Sequence, residues 1–405
     1  MADAGVLIVG AGQAACHLAG YLRDEGYPGP VRVLGDEPHL PYQRPPLSKA
    51  YLGGACEAGA LTFHDHEHYA GRGIELTLAT RVTRVDRAER AVLTADGGRH
   101  PYRQLVFATG ARNRSLVADT PGVLGLRTLD DAARLRKRLA GTEKAVVVGA
   151  GFLGLEFAAV AAARGVDVTV VEAAGSLMAR AVSPVVGEAF RAHHEENGVT
   201  FRIGSTVDSI EPLPGGQCRV VVDSEPAEAG LVVSSIGVEP NAELARDAGL
   251  PVRNGIVVDE RLRTEDPAIS AIGDCAAFVR PSGAGRGRIE SVQNAVDQAR
   301  YLAGSIAGRA GAYDAVPWFW SDQGGLKLQI AGLSGEADEI VLRGDVAARR
   351  FSAFRFRAGE LTAVESVARP ADHMAARRLL AAGVHVTPEQ AADDCFELKS
   401  LLAKA

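Results

Sequence analysis

One short pattern occurs twice in this chain. Val6 to Val9 leads into Gly10, Gly12 and Ala15, and Val146 to Val148 leads into Gly149, Gly151 and Gly154. Each copy begins with a β-branched run suited to a buried parallel strand. Each continues into an Ala/Leu-rich stretch of helical character and then a second strand, Val31 to Gly35 or Val166 to Glu172. That is a βαβ unit. The first glycine of the motif permits a tight turn, the second lets the backbone approach a pyrophosphate, and the small third residue lets helix pack on strand. The helix N-terminus then offers N–H donors and positive dipole to phosphates. A packing-driven glycine turn is the rival reading of either motif alone. The strand before each motif and the acidic residues after it favour nucleotide binding.

Two such units predict two dinucleotides. Asp36 and Glu37 follow the second strand of the first unit, and Glu172 ends that of the second, where a carboxylate can bond a ribose 2′-hydroxyl. Ala173 and Ala174 follow Glu172, with no arginine close behind. That predicts NADH rather than NADPH, with Gly149, Gly151, Phe152, Leu153 and Gly154 against the nucleotide; a solvated strand-end glutamate is the alternative. At 405 residues the chain exceeds one ordinary domain. The boundaries suggested by strand and turn character are 1–115 with 241–320 for the first fold, 116–240 for the second, and 321–405 for a separate α+β domain. A linker is expected from Asn113 to Gly125.

Composition closes off other classes. Net charge is −6, with no basic tract of the kind that tracks a phosphate backbone, so nucleic acid is not an expected partner. The apolar stretches at Ala4 to Gly20 and Val146 to Ala163 are interrupted by glycines and, in the second, by Glu156, so no membrane helix is expected. Of the five cysteines none stands in a C-x-x-C pair, which fits a reducing cytoplasm and removes an internal dithiol relay. His64, His66 and His68 alternate as strand ligands would, but a helix-and-turn pattern follows at once. They are expected on a solvated surface without metal, as are His193 and His194.

Thr264 to Asp274 resembles the second flavin fingerprint of two-dinucleotide flavoproteins, and Ala108, Thr109 and Gly110 resemble the short fingerprint that closes their first domain. The resemblance implies FAD on the first fold and NADH on the second. The fold class is then α/β: two Rossmann-like domains in a glutathione-reductase-like arrangement, the NAD fold inserted in the FAD fold, plus the C-terminal α+β domain. Three further segments, Leu40 to Tyr51, Arg288 to Ala295 and Pro317 to Gln323, resemble the ferredoxin reductases of bacterial oxygenase systems. This similarity runs over nearly the whole chain. It implies tight, non-covalent FAD, hydride transfer from NADH, and single-electron delivery to a [2Fe–2S] ferredoxin serving a monooxygenase or dioxygenase.

On matching residues, the resemblance implies FAD contacts at Gly10, Gly12, Ala14, Ala15, Asp36, Glu37, Arg44, Lys49, Val82, Ala108, Thr109, Gly110, Arg127, Asp274, Glu290, Val292 and Trp320. Asp274 as an Asx-type cap before Cys275 is compatible with that role. Glu156 resembles the carboxylate beside the nicotinamide carboxamide, pairing with Lys49, and Trp320 the aromatic beside the flavin ring; Lys49, Glu156 and Trp320 are thus the expected catalytic set. Trp318 reads equally as a core aromatic. After Trp-Ser-Asp-Gln the family usually has Tyr and an acidic residue, whereas Gly324 and Gly325 stand here. Arg280, Arg286 and Arg288 read either as a docking patch for an acidic ferredoxin or as a solvated loop with Ser282 to Gly285. The rivals are a rubredoxin reductase, an NADH oxidase or peroxidase, which keeps a redox cysteine near Pro45 to Lys49 where none stands, and a flavin-bound interaction protein with slow NADH oxidation.

Overall fold

Val6–Val9 is buried at every residue because it is the central strand of a parallel sheet covered on both faces. In the computed structural model, which describes residues 4–403 apart from 115, 117–119, 121, 281–284, 334, 336 and 338, the chain forms two compact units. One comprises Met1–Gln43, Gly59–Arg112 and Glu239–Pro317, and the other Arg44–Ala58, Asn113–Val238 and Trp318–Ala405. Parts of the expected 113–125 linker, and Ser282 to Ala284, lie outside the described residues. Residues 44–58 fall within the first expected sequence domain yet cluster with the second unit.

In the first unit the sheet order is Ile269–Ala271, Gln104–Phe107, Val6–Val9, Val31–Leu34, Ile74–Thr77, all parallel. The chain leaves Val6–Val9 in one direction and returns through Gln104–Phe107 on its other side. This creates the topological switch point at which ligands bind in such sheets. The helix Gln13–Asp24 buries Ala14, Ala15, Leu18, Ala19 and Leu22, small residues first, so its N-terminal turn lies close to the strands. Phe107, Phe278, Leu302 and Tyr313 fill the rest of the core.

The second unit repeats the plan. Val199–Ile203, Asp167–Glu172, Lys144–Val148, Leu231–Ser234 and Val123–Leu124 form a parallel sheet in that order. Its glycine helix, Phe152–Ala162, has no polar face and buries Leu155, Phe157, Ala158 and Ala161 together with one carboxylate, Glu156. The C-terminal module of this unit is an antiparallel sheet in the order Trp318–Gln323, Leu326–Gly332, Glu360–Val367, Arg350–Arg357, Glu339–Asp345. Helix Pro370–Ala381 covers it through Ala376 and Leu379, packed with Phe354, Phe356 and Val364. Arg343, buried, pairs with Asp372 and donates to the carbonyls of Asp393, Asp394 and Phe396, pinning the last segment to the sheet.

Gly324 and Gly325 form the two-residue connection between Trp318–Gln323 and Leu326–Gly332. Both have positive φ, 58° and 88°, which a twisted hairpin with a primed turn demands and which glycine adopts at no steric cost. The departure from the family pattern therefore gives a regular tight turn.

Candidate functional site

Each unit carries a glycine-built cradle at a helix N-terminus. In the first, Gly10 has φ +105° and a Cβ there would lie 2.3 Å from the carbonyl oxygen of Ala108. Gly12 caps the helix Gln13–Asp24 with no side-chain hydrogen bond and no acidic residue in the first turn. A Cβ on Gly12 would meet nothing within 4 Å. Open space over unspent N–H donors at a helix N-terminus fits a pyrophosphate. Thr109 and Asn241 lock the turn after Gln104–Phe107: the Thr109 hydroxyl donates to the Asn241 carbonyl at 2.6 Å and the Asn241 amide to the Thr109 carbonyl at 2.9 Å. Gly273 donates its N–H to Gln298, a buried glutamine, at 2.7 Å. That bond fixes the short helical turn carrying Asp274, which is half-buried. Val292 is the first residue of the helix Val292–Ile306, capped by Ser291, and Val82 begins Val82–Asp86 as a buried residue.

The second cradle differs in detail. Gly149 has φ +102° with a Cβ position 2.4 Å from the Ser235 carbonyl oxygen, and Gly151 opens to free space as Gly12 does. Gly154 would meet the Gly149 carbonyl oxygen at 2.3 Å, so this helix requires a glycine where the first fold accepts Ala15. Glu172 accepts from the Ala150 N–H at 2.6 Å and the Ala174 N–H at 2.8 Å. It braces the glycine turn from the end of the neighbouring strand, with lone pairs left for a ribose. The register locates its counterpart. Gly149 donates to the Val171 carbonyl as Gly10 does to that of Leu34, so Glu172 corresponds to Gly35. The acids of the first fold come one and two residues later: Asp36 is exposed, and Glu37 accepts from the Tyr42 hydroxyl at 2.6 Å.

Within the second unit Glu156 is the chemical focus. It lies one helical turn beyond Phe152 and only 4 % of it is exposed. Four residues along a helix rise about 6 Å and two along a strand about 6.8 Å. Phe152 and Glu156 therefore meet Phe319 and Ser321 pair by pair. The phenyl rings are 4.5 Å apart, and the Ser321 hydroxyl donates to Glu156 Oε1 at 2.6 Å. Lys49 Nζ lies 2.6 Å from Glu156 Oε2, which also accepts from the Ser48 hydroxyl at 2.5 Å. The prolines of the Pro45–Ser48 turn fix the backbone that delivers both. A carboxylate this buried is tolerated only when paired and hydrogen-bonded, and here both oxygens are engaged. Arg44 donates to the Arg127 carbonyl at 2.5 Å, just before the capping box at Thr128 and Asp131. Trp320 stacks obliquely on Trp318 at 5.5 Å, and Arg377 lies 4.1 Å over the Trp318 ring.

Of the expected site residues, Gly10, Gly12, Ala14, Ala15, Asp36, Glu37, Val82, Ala108, Thr109, Gly110, Asp274, Glu290 and Val292 lie in the first unit. Arg44, Lys49, Arg127, Trp320 and the whole NAD set lie in the second. One surface reading, that of the paired histidines, needs correction. His194 is 1 % exposed, its Nε2 is 2.9 Å from Gln323 Oε1, and burial holds its imidazole below the ordinary histidine value. His193 holds the carbonyls of Gln323 and Gly324, each at 3.1 Å. Of the arginines at 280–288, Arg286 is exposed and donates to the carbonyls of Val258 and Ala277, and Arg288 pairs with Glu290 at 2.7 Å and donates to the Asp274 carbonyl. Ser48, Ser321, Gln323 and His194 were not expected in a site. For His194 a signal existed, because Val186, Phe190 and His194 recur at helical spacing along Pro184–Glu196 and all three are buried.

Residues 4–299 match the family described as pyridine nucleotide-disulphide oxidoreductase, and residues 318–402 the one described as reductase C-terminal. The chain belongs to the pyridine nucleotide-disulphide oxidoreductase family. It is 48 % identical to rhodocoxin reductase of Rhodococcus erythropolis, over 98 % of this chain and 94 % of that protein. Among solved members of this oxidoreductase family it superposes on a ferredoxin reductase from Rhodopseudomonas palustris with a TM-score of 0.95 at 48 % identity, covering 98 % of this chain and 99 % of the other. The reductase in a covalent putidaredoxin reductase–putidaredoxin complex gives the same TM-score at 37 % identity, covering 100 % and 99 %.

Proposed function

We propose that this chain is an NADH-dependent ferredoxin reductase that holds FAD on its first fold and NADH on its second, and that passes electrons singly to a [2Fe–2S] ferredoxin serving an oxygenase. The observation that carries this reading is the Lys49–Glu156 pair: a cation and an anion held together beside the second glycine cradle. The bound flavin supplies the conversion of a two-electron hydride donor into a one-electron donor. The protein's part is binding, orientation and electrostatics. The two glycine turns present helix N-termini to the two pyrophosphates, and Glu172 addresses the NADH ribose. Lys49 would provide positive charge for a flavin ring that gains negative charge on reduction. Glu156 fixes that lysine and would accept from the nicotinamide amide. Trp320 would supply an aromatic face to the ring.

Electrons leave without a thiol step on this reading. No cysteine stands in the Pro45 to Lys49 segment, and burial pushes the Cys16, Cys218 and Cys275 thiols up, away from the reactive thiolate. Action in the cytoplasm is supported by five free cysteines, which fit a reducing compartment. The test is anaerobic reduction of the flavin by NADH, followed by reduction of a panel of [2Fe–2S] ferredoxins and rubredoxins. Fast bleaching and a preference for ferredoxins are expected. A preference for rubredoxins, or bleaching too slow to support turnover, would overturn the reading.

A further inference from the structure

Beyond Glu156 a row of buried polar groups continues into the C-terminal module. Ser321 is 1 % exposed, Gln323 0 % and His194 1 %. The hydrogen-bond chemistry gives the row one direction. A carboxylate only accepts, so Ser321 spends its proton on Glu156 and its lone pairs are left to accept. Gln323 Nε2 donates to them at 3.2 Å and also faces the Met178 sulfur at 3.6 Å. Rotating the amide would set its oxygen against an already committed hydroxyl and a thioether, neither of which has a proton to give. The oxygen therefore faces His194, whose Nε2 must carry the hydrogen. Every donor in the series His194, Gln323, Ser321 points toward Glu156.

We propose that Gln323 and His194 are positioning residues for Glu156, acting through Ser321, so that the C-terminal module completes the nicotinamide side of the NAD-binding fold. This rests on the reading of Glu156 given above. A buried polar series contributes less to core stability than apolar side chains of the same volume. What it gives when fully satisfied is one fixed arrangement. Glu156 is thereby gripped from both sides: Lys49 and Ser48 hold Oε2, and the series holds Oε1. The carboxylate is set before the nucleotide arrives. The series is not a proton wire, because the Gln323 amide accepts at one atom and donates from another and hands no proton across. His193 supports the same element by holding the tight turn at Gly324 through two carbonyls.

The experiment is a double-mutant cycle on the FAD-loaded full chain. Gln323→Met keeps the shape and removes both polar ends; Ser321→Ala removes the donor to Glu156; Glu156→Ala removes the acceptor. Two quantities are read: the rate of flavin reduction by NADH in anaerobic rapid mixing, and the affinity of the oxidised holoprotein for NAD⁺ by calorimetry, which involves no turnover. Loss of one buried hydrogen bond corresponds to about fivefold in binding. Gln323→Met and Ser321→Ala are expected to weaken NAD⁺ about fivefold and slow flavin reduction, to add nothing in the Glu156→Ala background, and to be rescued at position 321 by Ser321→Thr. Should Gln323→Met fail to accumulate, Ser321→Ala carries the same cycle. Equal losses in the wild-type and Glu156→Ala backgrounds would overturn the proposal, leaving Gln323 a packing residue. If Glu156→Ala itself changed neither quantity, the reading of Glu156 would fall first and the proposal with it.

Discussion

If Glu172 meets the ribose as proposed, replacing NADH by NADPH would place a phosphate monoester, carrying about 1.5–2 negative charges at pH 7, beside it. At about 4 Å two unit charges repel by about 1 kcal/mol in water and about 4 kcal/mol at the effective dielectric of about 20 typical of a protein surface. Glu172 is half-buried, so even the aqueous limit gives about 1.5 kcal/mol, or about tenfold in kcat/KM. The carboxylate has a second task, however, because it accepts the N–H groups of Ala150 and Ala174. Glu172→Gln removes the charge but turns an NH₂ toward one of those donors, leaving it unsatisfied at a cost of about 1–3 kcal/mol. The variant is therefore expected to bind both nucleotides less well while the ratio between them narrows. Stopped-flow flavin reduction over a range of each nucleotide separates the two effects. Comparable kcat/KM for NADH and NADPH in the wild type, or an unchanged ratio in Glu172→Gln, would refute the assignment of Glu172 to the ribose.

Gly12→Ala places a methyl group where the protein has nothing within 4 Å; the apoprotein should keep its Tm while FAD affinity, read from flavin fluorescence, falls, and wild-type affinity would mean that the pyrophosphate lies elsewhere. Lys49→Met should lower the flavin midpoint potential and the FAD retained on purification, and a normal potential with full flavin content would remove Lys49 from the ring. Burial pushes the His373 imidazole down to about 4 from 6.5. The unfolded chain takes up a proton below 6.5 and the folded module only below about 4, so stability falls as pH drops through that window, by up to about 3 kcal/mol. Urea unfolding followed by the fluorescence of Trp318, whose ring lies 5.6 Å from His373, should show a flatter acid limb for His373→Gln; an unchanged limb would refute the cause.

The doubled fold was legible because its signals are local. A strand, a glycine turn and a helix follow one another within each copy, and the short interval leaves few alternative geometries. The Lys49–Glu156 pair was reached only through resemblance, since nothing in the spacing of residues 49 and 156 implies contact. Gln323 escaped because the relevant facts are non-local. The helical spacing of Val186, Phe190 and His194 marked His194 as buried, but which strand lies across from it, and so what it bonds, is not written in that spacing. The arginines at 280–288 left two readings open for a related reason: a cluster of charge in sequence does not show which carbonyls, such as those of Val258 and Asp274, its side chains reach. Gly324 and Gly325 depart from the family pattern, and turn chemistry alone makes them a regular hairpin.

The offset between Gly35 and Glu172 bears on the history of the chain. If the two folds descend from one ancestral segment by duplication, their specialisation is recorded in backbone spacing as well as in residue type. A Cβ at position 35 would lie 2.6 Å from that of Ala11, so the first copy cannot regain an acid at that point without moving its glycine turn. Swapping side chains between the copies would not exchange their nucleotides. An engineer wishing to exchange them would have to transplant the strand end and the turn together.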